Sequence, residues 1–103
     1  MIITLNEKEY ELKFSIGRVK LIEKRIGGSL LSEIVKTNGV LSLETLESCI
    51  TYGLKEVDTV GYLPMQNAMK LAEEYMEAEG YSKAIADVTN QISEDLPFLF
   101  RNA

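Results

Sequence analysis

Residues Ser42–Val57, SLETLESCITYGLKEV, decide how this chain folds. Leu43, Leu46, Ile50, Leu54 and Val57 recur at steps of three and four, which places them along one side of a helix. Ser42 is positioned to cap its start, and Glu44 adds a negative charge to the first turn, at the positive end of the helix dipole. Cys49 and Gly53 lie beside the apolar stripe, so another element is expected to approach closely there. The spacing predicts a helix over 43–57 at the centre of a single core spanning 1–103.

Towards the N-terminus, Ile2–Leu5 and Tyr10–Phe14 flank the turn Asn6-Glu7-Lys8-Glu9. Ile3 and Leu5 on one arm, and Tyr10, Leu12 and Phe14 on the other, keep the two-residue period of a hairpin over 2–14 with one buried face. Thr4, Glu9, Glu11 and Lys13 fall on the other face. A lone hairpin is marginal in water, so its apolar face must lie on helices, while its outer edge stays free to pair. Ser15 caps a helix over 16–26, with Val19, Ile22 and Ile26 inward. Gly27-Gly28 stops it, since glycine takes the left-handed conformation that ends helices. A phosphate loop is not expected here, because the GxxxxGK[ST] pattern is missing and no suitable strand precedes it. Ser29 caps a short helix over 30–37, which Asn38-Gly39 closes.

Towards the C-terminus, 58–63 reads as a loop and Pro64 as the first position of a helix over 64–79. Met65, Ala68, Met69, Ala72 and Met76 form its stripe, widened by Leu71 and Tyr75. Three methionines on one face serve either as plain core or as an adaptable binding surface. Gly80 ends this helix, Ser82 caps the last one over 83–94, with Ile85, Val88 and Ile92 aligned, and Pro97 stops it. The tail, PFLFRNA, puts Phe98, Leu99 and Phe100 where chains commonly fray. These side chains either close the core or form an exposed patch for a partner. The fold class expected is α+β, mainly α: an N-terminal hairpin on about five short helices.

At 103 residues the chain suits one domain, and its 46% hydrophobic and 26% charged content is that of a globular protein rather than a disordered one. The net charge of -5 is unevenly spread: seven Lys/Arg face five Asp/Glu through Asn38, and four face eleven after it. An acidic C-terminal half argues against nucleic acid as a partner. Arg18, Lys20, Lys24 and Arg25 cluster, but with Glu23 among them they read as a solvated helix face; a head-to-tail contact between unlike ends of two copies is the alternative. The first fifteen residues alternate polar and apolar, so neither a secretory signal nor a membrane span is expected, and a cytoplasmic location is the default. The single cysteine excludes an internal disulfide framework.

Catalysis finds little to work with. The chain has no histidine, which excludes His-based triads and His metal sites. Cys49, on an apolar helix side, reads as buried and inert. Glu73 and Glu77 share a helix face but lack a second carboxylate cluster, so they read as a solvated acidic face, with Glu74 and Lys70 an ordinary surface pair. No metal, cofactor or enzyme activity is expected.

The order of features in residues 1–58 resembles the N-terminal half of tail assembly chaperones of long-tailed phages and prophages. That family opens with a short strand, a turn, a "yELkFsfG"-like strand, a basic helix and a Gly-Gly stop. The matching positions here are Tyr10, Glu11, Leu12, Lys13, Phe14, Ser15 and Gly17, then Gly27-Gly28, with Ile16 where an aromatic is common. Tyr52-Gly53-Leu54-Lys55 is similar to the "yaGLk" end of the family's central helix. Beyond residue 58 only the helical pattern is shared. The resemblance implies a non-enzymatic role in the host cytoplasm. Such a chaperone coats and solubilises the tape-measure protein, is displaced as tail-tube protein polymerises, and is absent from the mature virion. It also implies self-association and, in many members, a frameshifted longer form that recruits the tube protein. Under this reading Met65, Met69, Met76, Phe98, Leu99 and Phe100 are the expected partner-binding residues, with no nucleic acid or membrane involved. The rival is a non-phage cytoplasmic adaptor or regulatory subunit using the same helices.

Overall fold

A computed structural model describes residues 2–101; Met1, Asn102 and Ala103, the ends of the expected domain and tail, lie outside the described residues. Its elements run β1 (Ile2–Leu5), β2 (Lys8–Leu12), α1 (Ile16–Ile26), α2 (Leu30–Lys36), α3 (Leu43–Gly53), β3 (Leu54–Glu56), α4 (Met65–Glu79), α5 (Tyr81–Asp95) and a 3-10 turn, Pro97–Phe100. This is the expected α+β, mainly helical fold with an N-terminal hairpin on five helices, and it adds a third strand.

The hairpin turns on two residues, Asn6 and Glu7, both at positive φ (51° and 66°), the geometry whose twist matches paired strands. Ile3 therefore faces Tyr10, and both are buried on the helices together with Leu12 and Phe14. β2 ends at Leu12 rather than at Phe14, because the Phe14 amide turns away from the sheet to donate to Asp95 Oδ2 at 2.8 Å.

Serine hydroxyls cap the first three helices as expected: Ser15 accepts from the Arg18 amide, Ser29 from Ser32 and Ser42 from Thr45. Gly27 ends α1 at φ 78°, its N–H bonded to the Glu23 carbonyl at 2.9 Å. Three helix boundaries depart from expectation. The helix expected over 43–57 stops at Gly53, and Leu54–Glu56 pairs antiparallel with β2, Leu12 opposite Leu54 and Glu11 opposite Lys55. Non-local pairing with β2 outweighs the helical spacing of Leu54 and Val57, and the sheet order becomes β1-β2-β3. Ser82 is not a cap: α5 starts at Tyr81 directly after Gly80, which sits at φ 90° and links α4 to α5 without a loop. Pro64 precedes α4 as its cap rather than occupying its first helical position.

The core gathers side chains from the sheet and the helices into one cluster, with Leu46, Cys49 and Ile50 of α3 at its centre. Gly53 admits the close approach expected of it, with the Phe14 ring lying where a Cβ would be. On α4 the buried residues are Ala68, Ala72 and Tyr75, so the methionines flank the core-facing strip rather than form it.

Candidate functional site

α3 and α4 pack together, and α5 folds back from Gly80, so the start of α3, the end of α4 and the start of α5 meet at one end of the molecule. There they enclose a groove of about 480 Å³ lined by Leu43, Glu44, Glu47, Glu73, Met76, Glu77 and Tyr81. Leu43, expected in the core seam, is instead 64% exposed at the first position of α3, between the buried Leu41 and Leu46. Tyr81 is held in place by its hydroxyl, which donates to the Leu41 carbonyl. Met76 packs against the core from the other wall.

Carboxylates stand along both walls of this apolar floor, Glu44 and Glu47 from α3 and Glu73 and Glu77 from α4. Arg25 of α1 donates from Nη2 to Glu47 at 3.0 Å and from Nε to Glu44 at 3.4 Å. Burial pushes the Glu47 carboxyl above its ordinary range, and the neighbouring Glu73, as hydrogen-bond partner and as like charge, pushes it further; Arg25 opposes this.

A second apolar surface lies at the other end of α5. Ile16, Val19 and Lys20 of α1 meet Leu96, Phe98 and Leu99 around a shallow pocket of about 170 Å³. The tail divides its three apolar side chains: Leu99 packs on the core, whereas Phe98 and Phe100 are 48% and 38% exposed. Leu99 therefore helps to close the core, while Phe98 and Phe100 leave apolar surface exposed.

The six residues expected to bind a partner are not brought together. Met76 lines the groove, Met69 is half-buried on α4, and Met65 is exposed at the helix start, about 16 Å from Met76 by helical rise. Phe98 and Leu99 belong to the second surface, and Phe100 is exposed beside them in the chain. Leu43 and Tyr81 were missed as surface residues, Leu43 because it falls on the helical seam and Tyr81 because its start-of-helix position depends on Gly80.

The basic cluster of α1 is only partly solvated. Arg18 donates from Nε to the Tyr52 carbonyl at 2.6 Å and lies over the Tyr62 ring at 4.1 Å, while Arg25 takes the two glutamates; Lys20 and Lys24 remain exposed. Glu74 accepts from the Asn6 side-chain amide at 3.0 Å in place of the Lys70 pairing expected of it. Cys49 is buried, and burial pushes its thiol up to about 12, so it stays protonated at neutral pH. Among the described residues no three His, Cys, Asp or Glu side chains are arranged to hold a metal ion, and no helix is long and apolar enough to cross a membrane.

Comparison with known proteins finds no matching family model, no matching curated protein and no matching solved structure.

Proposed function

We propose that this chain is a tail assembly chaperone of a long-tailed phage or prophage. It binds and solubilises the tape-measure protein in the host cytoplasm and leaves as tail-tube protein polymerises. The observation that carries this reading is a pair of apolar surfaces, one around Leu43, Met76 and Tyr81 and one around Ile16, Phe98 and Leu99. Exposed apolar surface framed by polar groups is what a binder of helical segments requires. The strand–turn–strand–basic helix–Gly-Gly order of residues 1–58 supplies the phage part of the reading. Weak contacts repeated by many copies along one long partner suffice for solubilisation and still permit release. Self-association follows from that arrangement, and a frameshifted longer form would supply the tube-protein contact. The function is binding, not catalysis.

The test is co-expression with the product of the longest neighbouring reading frame, followed by size-exclusion chromatography with light scattering. A soluble complex holding many copies of this chain is expected. If that product stays insoluble while this chain elutes alone as a small species, the adaptor reading replaces the chaperone one.

A further inference from the structure

The groove at the α3–α4–α5 end has a floor and a rim of different chemistry. Its floor is apolar: Leu43 and Tyr81 present exposed surface, and Met76 adds a flexible, polarisable side chain. Its rim is anionic on both long sides, with two glutamates from α3 and two from α4. Arg25 reaches the α3 side alone, and among the described residues Glu73 and Glu77 form no ion pair. Like charges gathered around apolar surface repel one another and hold water over a strip that burial would favour. The Glu47 carboxyl is pushed upward first by burial and then by Glu73 and Glu44, against the pull of Arg25. A ligand relieves both conditions when it brings apolar groups to the floor and cations to both rims.

We propose that this groove docks a basic amphipathic helix of the partner protein. Apolar side chains of that helix, spaced three and four residues apart, lie on Leu43, Met76 and Tyr81, and flanking Lys or Arg side chains pair with Glu73 and Glu77 on one side and Glu44 and Glu47 on the other. The charge complementarity selects the occupant, because an acidic or neutral helix would leave the rim carboxylates crowded and uncompensated. A small molecule fits poorly, since such sites enclose most of their ligand and this groove leaves Leu43 64% exposed. The assignment rests on the chaperone reading and deepens it by naming the chemistry of the tape-measure segments that bind.

The probe is a fluorescein-labelled synthetic helix of about 18 residues, with leucines at helical spacing flanked by lysines, read by fluorescence anisotropy against the full chain. Its control carries glutamate in place of each lysine. The lysine peptide is expected to bind at least about tenfold tighter than the glutamate peptide. In the double variant Glu73→Lys/Glu77→Lys this preference is expected to reverse, and Leu43→Ser is expected to weaken binding of the lysine peptide about tenfold. Val60→Ser, at an exposed loop residue away from the groove, is the neutral control. Circular dichroism checks that each variant is folded; should the double reversal not fold, Glu77→Gln at the same rim takes its place, with a smaller loss expected. Equal binding of both peptides, no binding of either, or lysine-peptide binding indifferent to the rim and Leu43 changes overturns the proposal. Co-solubilisation separates the two readings. A rim variant that still solubilises the tape-measure product removes the groove and leaves the chaperone. Rim-dependent peptide binding without solubilisation by the native chain keeps the groove and removes the chaperone.

Discussion

Gly53 sits where α3, β3 and the segment after β2 converge, and its missing side chain is what lets them converge. A Cβ there would stand 2.6 Å from both Cε1 and Cζ of the buried Phe14 ring. Gly53→Ala is therefore expected to lower stability by about 1–3 kcal/mol through overpacking, although alanine is the better helix former by about 1 kcal/mol. Urea unfolding measures this, and an unchanged or raised midpoint would mean that the ring has room to move. At Glu47 the sign of the pH effect follows from the direction of its shift. The folded chain favours the protonated carboxyl, so stability is complete below the ordinary value of 4.5 and declines as pH rises through the raised one. Glu73→Gln removes the principal like charge while Arg25 and Glu44 stay in place. It is expected to gain about 0.5 kcal/mol at neutral pH, a gain that disappears below pH ~4. A gain that persists in acid would trace to something other than this pair.

At the scale of elements, β3 is the piece that changes the fold most. Its three residues bury Leu54 and bring Lys55, only 8% exposed, to Glu11 across the strand pair at 3.1 Å. A lysine this buried depends on its carboxylate. Glu11→Ala leaves the ammonium only the Glu56 carbonyl, 3.4 Å away, and is expected to cost about 2 kcal/mol, whereas Lys55→Met removes the charge, keeps the apolar stem and is expected to cost less. The reverse order in chemical denaturation would show that solvent, not Glu11, satisfies Lys55. None of this was legible in LKE, because a three-residue strand has no period of its own and its leucine also suits the helical seam. Local signals read well: the serine caps at 15, 29 and 42 and the stop at Gly27 need only a few neighbouring residues. The groove did not, since Leu43, Glu73 and Tyr81 come from three elements that meet only after folding. Glu73 and Glu77 are the exposed acidic face expected of them, but the opposing wall of α3 that makes this face one side of a groove is invisible in their own helix.

Across the whole molecule the segment after the hairpin and the end of α5 are fastened at one point. Asp95, the last residue of α5 and 5% exposed at its side chain, accepts from the Phe14 amide at 2.8 Å and from Gln91 at 3.0 Å, and pairs with Lys13 at 3.3 Å. A carboxylate at a helix C-terminus opposes the helix dipole, so these donors are what keep it there. The clasp joins the hairpin to the tail, and Leu96 and Leu99 beside it carry the surface that presents Phe98. The groove lies at the other end of α5, about 22 Å away by helical rise. Asp95→Ala leaves the Phe14 amide without its acceptor and is expected to cost about 2–3 kcal/mol. It should also loosen the molecule unevenly. Amide exchange is expected to quicken at Phe14 and through 96–101, while the start of α3 and the end of α4 keep their protection. The groove should then bind the lysine peptide with unchanged affinity, although the surface around Ile16 and Phe98 has lost its support. A uniform rise in exchange, reaching Leu46 and Ala72 as much as Leu99, would instead mean that the chain opens as a single unit and that its two apolar surfaces stand or fall together.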